Sequence, residues 1–348
     1  MDLEATNPTV AITLGDPAGI GPEVLVKALH ARPPGGPPLV LIGSHWALAE
    51  GAAAAGLPVP DLREMSEPGE LNGEAGLVDI GIARPADFRF GAVDSACGAH
   101  AVVAVERAAG YCMAGRLAGM VTAPINKEAV HAAGYLDDIG HQEILARMTR
   151  APLTATMLMT PGLRVVHLST HKPLAEAVRH VTRANVLAAL ELACRALADW
   201  GLHRARIAVA ALNPHGGEGG MLGREEIDEL QPAVGDARRR GIDAHGPVPA
   251  DSVFNRAIAG EFDAVLALYH DQGHIAVKVR DFHRSTTATL GIPFVRTSVD
   301  HGTAFDIAGR GKADPRGMTA AVDAAAALVE GRLASLWPAA ANSAATRG

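Results

Sequence analysis

Three short apolar runs in this chain each lead to a histidine: Val165-Val-His-Leu-Ser-Thr-His171, Val209-Ala-Ala-Leu-Asn-Pro-His215 and Val265-Leu-Ala-Leu-Tyr-His270-Asp271. If the runs are strands of a parallel sheet, the histidines follow carboxyl ends, where open α/β sheets collect their ligands. Three neutral imidazoles converging there suit Zn²⁺ with an open position for water or substrate, or a similar first-row ion. The chain holds fifteen histidines, so chance alone puts some of them after strands. Against chance stands the run Pro214-His-Gly-Gly-Glu-Gly-Gly220, which brings backbone close to something and covers a core poorly.

Charged residues in the same half extend the chemistry. Asp271, and Asp251 in Pro249-Ala-Asp-Ser252, suit a role behind a metal ligand or as a general base, and equally a cap or turn. Lys278 follows the third histidine, and Arg296 ends the run Ile292-Pro-Phe-Val-Arg. A point charge and a guanidinium fork at strand ends suit a phosphate or carboxylate substrate; salt bridges on a solvated face are the plainer alternative. The loop Gly15-Asp-Pro-Ala-Gly-Ile-Gly21 stands where a dinucleotide fingerprint would, but its glycine spacing is wrong. The next strand also ends Leu41-Ile42-Gly43-Ser44, without the acid that holds a ribose. Such a loop either offers backbone N–H groups to an anion or is a structural turn. Neither a GxxxxGK[ST] loop nor a GxSxG elbow occurs.

These residues need a scaffold, and short apolar runs alternating with helix-period segments supply one. Strands are expected at Val10–Leu14, Leu39–Ile42, Met120–Thr122, Thr156–Met159, Arg164–Leu168, Arg206–Leu212, Ala264–Leu268 and Pro293–Arg296. Helices are expected at Pro22–Ala31, His100–Leu117, Gln142–Met148, Ala184–Asp199, Arg224–Arg240 and Met318–Leu333. The alternation predicts an α/β fold with a largely parallel sheet. Residues 59–98, rich in Gly, Pro and acids, are expected to run over the surface, and the Ala340–Gly348 tail to be loose.

Composition narrows the function. The 348 residues suit two domains or one large α/β unit, and 48% hydrophobic content supports a sizeable core. A net charge of −7 with 4% aromatic residues argues against nucleic-acid binding. Cys97, Cys112 and Cys194 lack CxxC spacing and suit buried positions in a reduced compartment. Met1-Asp2-Leu3-Glu4 carries acids where a secretory leader begins with positive charge, and no run reaches the roughly 18 apolar residues of a membrane span. A soluble, cytoplasmic protein without a membrane partner is expected.

Taken in order, the motifs resemble the 4-hydroxythreonine-4-phosphate dehydrogenase (PdxA) family of vitamin B6 biosynthesis and its paralogues. The matching blocks are Ile12–Val24 (ITLGDPAGIGPEV), Thr122–Val130 (TAPINKEAV), Gly140–Leu145 (GHQEIL), Leu168–Leu174 (LSTHKPL) and Ala211–Gly220 (ALNPHGGEGG). They continue through Gly246–Phe254 (GPVPADSVF), Tyr269–His274 (YHDQGH) and Thr289–Asp314. Gly15–Val24 and His301–Gly311 are more distantly similar to two glycine-bearing loops of isopropylmalate and isocitrate dehydrogenases.

The resemblance implies the two-domain fold of those dehydrogenases, with a central cleft and no standard Rossmann site. It suggests a NAD-side domain, residues 1–125 plus 297–348, and a metal, substrate and dimerisation domain, 126–296. It implies His171, His215 and His270 as metal ligands, the third reaching across a homodimer, for Zn²⁺ or alternatively Mg²⁺ or Co²⁺. His141, Lys278 and Arg296 match substrate contacts. His301, Gly302, Thr303, Asp306 and Gly309 match the loop that holds NAD (or NADP). Two positions depart from the biosynthetic pattern: Gln142 replaces a Thr and Thr287 replaces a substrate-binding Asn.

The implied reaction oxidises the 3-hydroxyl of a small anionic phosphorylated hydroxy acid, then decarboxylates it, with Asp271, Asp251 or Lys127 as base. For 4-phosphohydroxy-L-threonine the products are 3-amino-2-oxopropyl phosphate and CO₂. The departures favour a paralogue acting on 4-phospho-D-threonate, 4-phospho-D-erythronate or a cis-dihydrodiol carboxylate. Phosphate acyltransferases share the fold and a non-catalytic phosphosugar-binding protein is a further alternative; the three histidines and the His301–Gly311 loop argue against both.

Overall fold

A computed structural model of the chain describes residues 8–33, 35–69, 71, 75–137 and 140–337. The first four residues and the Ala340–Gly348 tail therefore lie outside the described residues. The chain divides into two compact units, Met1–Thr154 with Ile292–Glu330, and Ala155–Gly291 with Gly331–Gly348.

Elements are numbered along the chain. The first unit holds β1 (Val10–Thr13), α1 (Gly21–Ala31), β2 (Leu39–Gly43), α2 (His45–Ala55), β3 (Arg63–Met65) and β4 (Ala75–Asp79). It continues with α3 (Ser95–Met113), β5 (Gly119–Thr122), α4 (Lys127–Ala132) and α5 (His141–Thr149). The second unit holds β6 (Ala155–Thr160), β7 (Leu163–His167), α6 (Leu174–His180), α7 (Arg183–Asp199), β8 (Ile207–Ala210) and α8 (Gln231–Arg239). It ends with β9 (Ala244–Val248), α9 (Ala250–Ile258), β10 (Ala264–Ala267), α10 (His270–Arg280) and β11 (Thr286–Leu290). The chain then returns to the first unit as β12 (Val295–Val299) and α11 (Arg316–Val329).

The strands of the first unit are all parallel, in the order β3-β4-β2-β1-β5-β12. Val10, Ile12, Leu39 and Leu41 pack with α1, α2 and α11 through Leu25, Leu48 and Met318. Their alternates Ala11, Val40 and Ile42 pack with Val102, Val105 and Ala109 of α3. Burial on both faces is why these strands are continuous apolar runs, and each large side chain contributes roughly 1.5–3 kcal/mol. Asp94 caps α3 by accepting from the Ala96 and Cys97 amides at 2.8 and 3.0 Å.

The second unit runs β11-β6-β7-β10-β8-β9. Strands β7, β10, β8 and β9 are parallel, whereas β6 is antiparallel to both β7 and β11. The sheet is thus largely parallel, as expected, with β6 as the one antiparallel strand of this half. Thr160 pairs with Leu163 across the two-residue turn Pro161-Gly162, with Gly162 at φ +81°, so the chain reverses directly from β6 into β7. Residues 59–98 also differ from a simple surface run: β3 and β4 form within them, and Leu77 and Val78 are buried against β2.

Residues 126–154, grouped in the sequence reading with those that follow, fall in the first unit. Their Val130, Ile144 and Leu145 join the core cluster under α3. Gly98 of α3 lies so close to the Ala129 carbonyl that a Cβ would sit 2.0 Å from its oxygen. Cys97 and Cys112 are buried as expected, and burial pushes the Cys112 thiol up to about 12; Cys194 is only half-buried. Among the described residues no helix is long and apolar enough to cross a membrane.

Candidate active site

In the second unit, β7, β10 and β8 are consecutive parallel neighbours, and each is followed by one of the three histidines. Strands about 4.8 Å apart bring three such ends within about 10 Å of one another. The rings of His171 and His270 stand 6.0 Å apart, centre to centre. Two imidazoles on one ion, with metal–nitrogen bonds of about 2.1 Å, have ring centres roughly 5 Å apart, so the two rings stand slightly wider apart than a tetrahedral ligand pair. Among the described residues of one chain, no group of three acid, histidine or cysteine side chains closes into a full metal cage.

His270 opens α10, and its Nδ1 lies 2.6 Å from Asp271 Oδ1. A carboxylate only accepts, so Nδ1 carries the proton and Nε2 presents its lone pair, the state a metal ligand needs. Asp271 therefore orients His270. Asp251 is exposed in the first turn of α9, and Lys278 lies half-buried in the last turn of α10, 5.8 Å from the Phe282 ring. Thr287 lies on β11, paired with Leu158 of β6.

His215 is exposed on a loop of unusual backbone. From His215 to Gly220 every residue has positive φ, beginning with 55° at His215. Left-handed backbone costs roughly 1–2 kcal/mol per non-glycine residue, which explains why four of the six are glycine. The buried Glu226 holds the entry to this loop. Its Oε1 accepts from the Leu212 and Asn213 amides at 2.9 and 2.7 Å, and its Oε2 accepts from Asn213 Nδ2 at 2.9 Å. Sequence reading missed Glu226, because a Glu inside a helix-period segment gives no sign that its carboxylate faces inward.

In the first unit, the loops after β1, β5 and β12 meet beyond the carboxyl ends of those strands. The Asp16 amide donates to the Pro124 carbonyl at 3.0 Å, and the Ile20 amide to the Thr303 carbonyl at 3.0 Å. Gly15 (φ +71°) is required here, since a Cβ would lie 2.4 Å from the Pro124 oxygen. Thr303 is thus fixed against the Gly15–Gly21 loop, while Gly302, Asp306 and Gly309 of the same segment are exposed. His301 Nε2 is buried without a hydrogen-bond partner among the described residues, a group available to a bound cofactor. Lys127 is exposed at the start of α4, which Asn126 caps through the Ala129 amide.

Arg296 lies buried on β12, and Nε and Nη2 donate to Thr122 Oγ1 at 3.1 and 2.6 Å. Burial pulls its pKa down to about 10, so it stays charged at neutral pH. Burial, with the charge of Arg296, holds His141 well below the usual imidazole range, and His141 Nε2 is buried without a hydrogen-bond partner among the described residues. A neutral imidazole beside a buried guanidinium suits an anionic ligand. The adjacent Gln142 donates from Nε2 to Thr154 Oγ1 at 2.8 Å.

Two buried groups escaped the sequence reading. Burial pushes the Asp16 carboxyl up to about 7, aided by the charge of Asp94; Oδ1 accepts from the Ala18 amide at 2.8 Å, and Oδ2 is buried with no well-formed hydrogen bond among the described residues. His100 accepts from the Ser44 amide at 2.9 Å through Nε2 and donates through Nδ1 to the Gly15 carbonyl at 3.2 Å. It ties the loops after β1 and β2 together. Neither role leaves a spacing signal, since both depend on packing between distant segments.

A family profile described as pyridoxal phosphate biosynthetic protein PdxA matches residues 37–325. D-threonate 4-phosphate dehydrogenase of Salmonella typhimurium is 42% identical over 323 residues, 92% of this chain and 98% of that protein. The crystal structure of 4-hydroxythreonine-4-phosphate dehydrogenase from Klebsiella pneumoniae matches with a TM-score of 0.87 at 38% identity, covering 94% of this chain and 99% of that one. Terephthalate 1,2-cis-dihydrodiol dehydrogenase from Burkholderia xenovorans LB400 matches with a TM-score of 0.65 at 31% identity, covering 92% and 98%. The mixed α/β fold and these relatives define the chain as a dehydrogenase. It belongs to the PdxA family.

Proposed function

We propose that this chain oxidises the 3-hydroxyl of a 4-phosphorylated hydroxy acid with NAD and releases CO₂ from the β-keto acid so formed. A threonate-type substrate, with a hydroxyl at C2, is preferred to the amino-bearing 4-phosphohydroxy-L-threonine. The Salmonella relative named for D-threonate 4-phosphate supports this preference, as do Gln142 and Thr287 at positions where the biosynthetic pattern has Thr and Asn. The observation that carries the reading is the row of adjacent parallel strands β7, β10 and β8, each followed by a histidine.

The residues divide the chemistry as follows. Arg296, charged and buried, binds the anionic end of the substrate with Lys278, so remote binding energy positions the reacting carbon. His141, held neutral, accepts from or donates to the substrate without adding charge. A divalent metal on His171, His215 and His270 would supply Lewis acidity at the substrate hydroxyl and, later, at the carbonyl next to the departing carboxylate. NAD, which the His301–Gly309 segment would hold, would supply the hydride acceptor. With Asp271 engaged by His270, the hydroxyl proton passes to Asp251 or Lys127.

The balance is simple. The C3 hydroxyl would give its proton to the base and the C3–H bond its hydrogen, as hydride, to NAD, leaving a ketone at C3. The C1–C2 bond then breaks, and its electron pair moves to C2, which is protonated. A threonate 4-phosphate therefore yields NADH, CO₂ and a three-carbon hydroxyketone phosphate.

A homodimer is part of the reading. Ile275 and Val279 on α10 and Phe282 just beyond it are exposed apolar residues in the unit that carries the histidines, a surface suited to a second copy. The test is NADH formation by the purified protein with 4-phospho-D-threonate, 4-phospho-D-erythronate, 4-phosphohydroxy-L-threonine and a cis-dihydrodiol carboxylate, each with and without chelator. Chelator-sensitive turnover of the threonate is expected. Turnover of the amino substrate alone would reverse the assignment, and chelator-resistant turnover would remove the metal.

A further inference from the structure

Behind His270 stands a row of imidazoles with no part in the mechanism above. His274 is one helical turn further along α10, and its ring stacks on that of His270 with centres 3.6 Å apart and planes inclined by 12°. Its Nδ1 lies 3.0 Å from the His270 carbonyl oxygen. The carbonyl only accepts, so Nδ1 carries the proton and the His274 ring is itself fixed. His167, at the end of β7, lies against His274, with ring centres 4.6 Å apart. It is buried, and both its ring nitrogens lack a partner among the described residues. A Cβ on residue 273 would sit 2.2 Å from His167 Nε2, so glycine at that position is what admits the His167 ring.

We propose that His274 is a positioning residue for His270: the stacked ring, backed by His167 in the space left by Gly273, locks the His270 imidazole in its metal-binding orientation. The proposal rests on the metal reading given above. Asp271 fixes the proton on His270 and holds one edge of the ring, but as an exposed side chain next to it in sequence it leaves the ring's faces unsupported. A stacked face supplies that support, and a ligand held in place loses less freedom when the metal binds.

The test uses Co²⁺ titrated into the metal-free protein, followed by its d–d absorption, with wild type, His274→Ala, His274→Phe and His270→Ala. Far-UV circular dichroism checks folding; if His274→Ala is not native, His274→Gln replaces it. His274→Ala is expected to weaken Co²⁺ binding about 10- to 100-fold and to alter the d–d band, as loss of outer support for a ligand does elsewhere. His274→Phe, which keeps the stack, is expected to restore affinity to within about threefold of wild type. Wild-type affinity and band in the folded Ala variant would overturn the proposal, as would Phe behaving like Ala. The underlying metal reading fails differently: wild type and His270→Ala would then bind Co²⁺ alike. In that case the ring-proton shifts of His270, displaced upfield in the metal-free wild type and released in His274→Ala, still report whether the stack exists. Unchanged shifts would overturn the positioning role by themselves.

Discussion

Arg296 sends two hydrogen bonds, from Nε at 3.1 Å and Nη2 at 2.6 Å, to the single hydroxyl oxygen of Thr122 on the neighbouring strand. That hydroxyl donates onward to Ser298 Oγ at 3.0 Å, and Ser298 returns a bond to the Thr122 carbonyl at 3.0 Å. A hydroxyl fixes the fork without itself bringing an opposing charge. Arg296→Lys keeps the charge but loses the fork. It is expected to raise the KM for the phosphorylated substrate roughly 10- to 100-fold, the worth of one or two charge-assisted bonds, with little change in the KM for NAD. Steady-state kinetics with each substrate varied in turn checks this; an effect on NAD alone would move Arg296 to the cofactor.

Asp16 makes a prediction about stability that needs no ligand. Its folded pKa of about 7 stands above the ordinary 3.8, so the native state keeps a proton that the unfolded state releases. Between about pH 4 and 7 the unfolded state binds fewer protons, and this group's contribution falls as pH rises; above 7 the full cost is present. A shift of this size corresponds to an upper bound of about 4 kcal/mol. Asp16→Asn retains an oxygen for the Ala18 amide and removes the charge. It should stabilise the protein at pH 8, do little at pH 4, and flatten the decline between. Urea denaturation of both proteins across that range decides it, and parallel curves would show that Asp16 ionises in the fold without penalty.

The strands after which the three histidines fall were legible because buried parallel strands leave continuous apolar runs, as Val10–Thr13 and Ala264–Ala267 do. The helices α1, α3, α5, α7 and α11 were legible from their 3.6-residue period. β4 was hidden, since Ala75-Gly-Leu-Val-Asp79 is short and its strand character comes from pairing with β2. α10 was hidden for another reason: a helix that begins His-Asp-Gln-Gly-His is polar along the very face that bears the site. The glycine run after Pro214 did show that something unusual occurs, but not that its backbone is left-handed throughout, nor that Glu226 is its anchor. Hydrogen bonds between residues 13 to 85 positions apart, as Glu226 is from Asn213 and His100 from Gly15, have no periodicity to betray them.

Substrate choice at C2 should depend on Gln142 and Thr287. Gln142 is tethered to the Thr154 hydroxyl at 2.8 Å, so its amide has a fixed direction. Gln142→Thr combined with Thr287→Asn restores the biosynthetic pattern at both positions and removes that tether. The double variant is expected to shift the kcat/KM ratio toward 4-phosphohydroxy-L-threonine and away from 4-phospho-D-threonate by about 10-fold or more, the discrimination that one or two hydrogen bonds at a polar group provide. Competition between the two substrates, with products separated by mass, gives the ratio directly. An unchanged ratio would place the reading of C2 on other residues.

The His215 loop supplies the remaining prediction. Its left-handed backbone from His215 to Gly220 stores strain at two non-glycine positions, His215 and Glu218, of roughly 1–2 kcal/mol each. Glu226 offsets this through three accepted hydrogen bonds from Leu212 and Asn213. In Glu226→Ala the half-buried Leu212 and Asn213 amides lose their partner, at a cost of about 1–3 kcal/mol each if left unsatisfied, while Asn213 Nδ2 keeps its bond to Glu225. The loop can escape that cost by opening toward water, which takes His215 with it. Glu226→Gln keeps one oxygen, enough for the two amides, but turns an NH₂ toward Asn213 Nδ2, so an intermediate phenotype is expected. Amide hydrogen exchange should accelerate at residues 212–220 in the order wild type, Gln, Ala, and Co²⁺ affinity should fall in the same order. Fast exchange with undiminished Co²⁺ affinity would mean that His215 lies outside the metal site, leaving Glu226 a purely structural anchor.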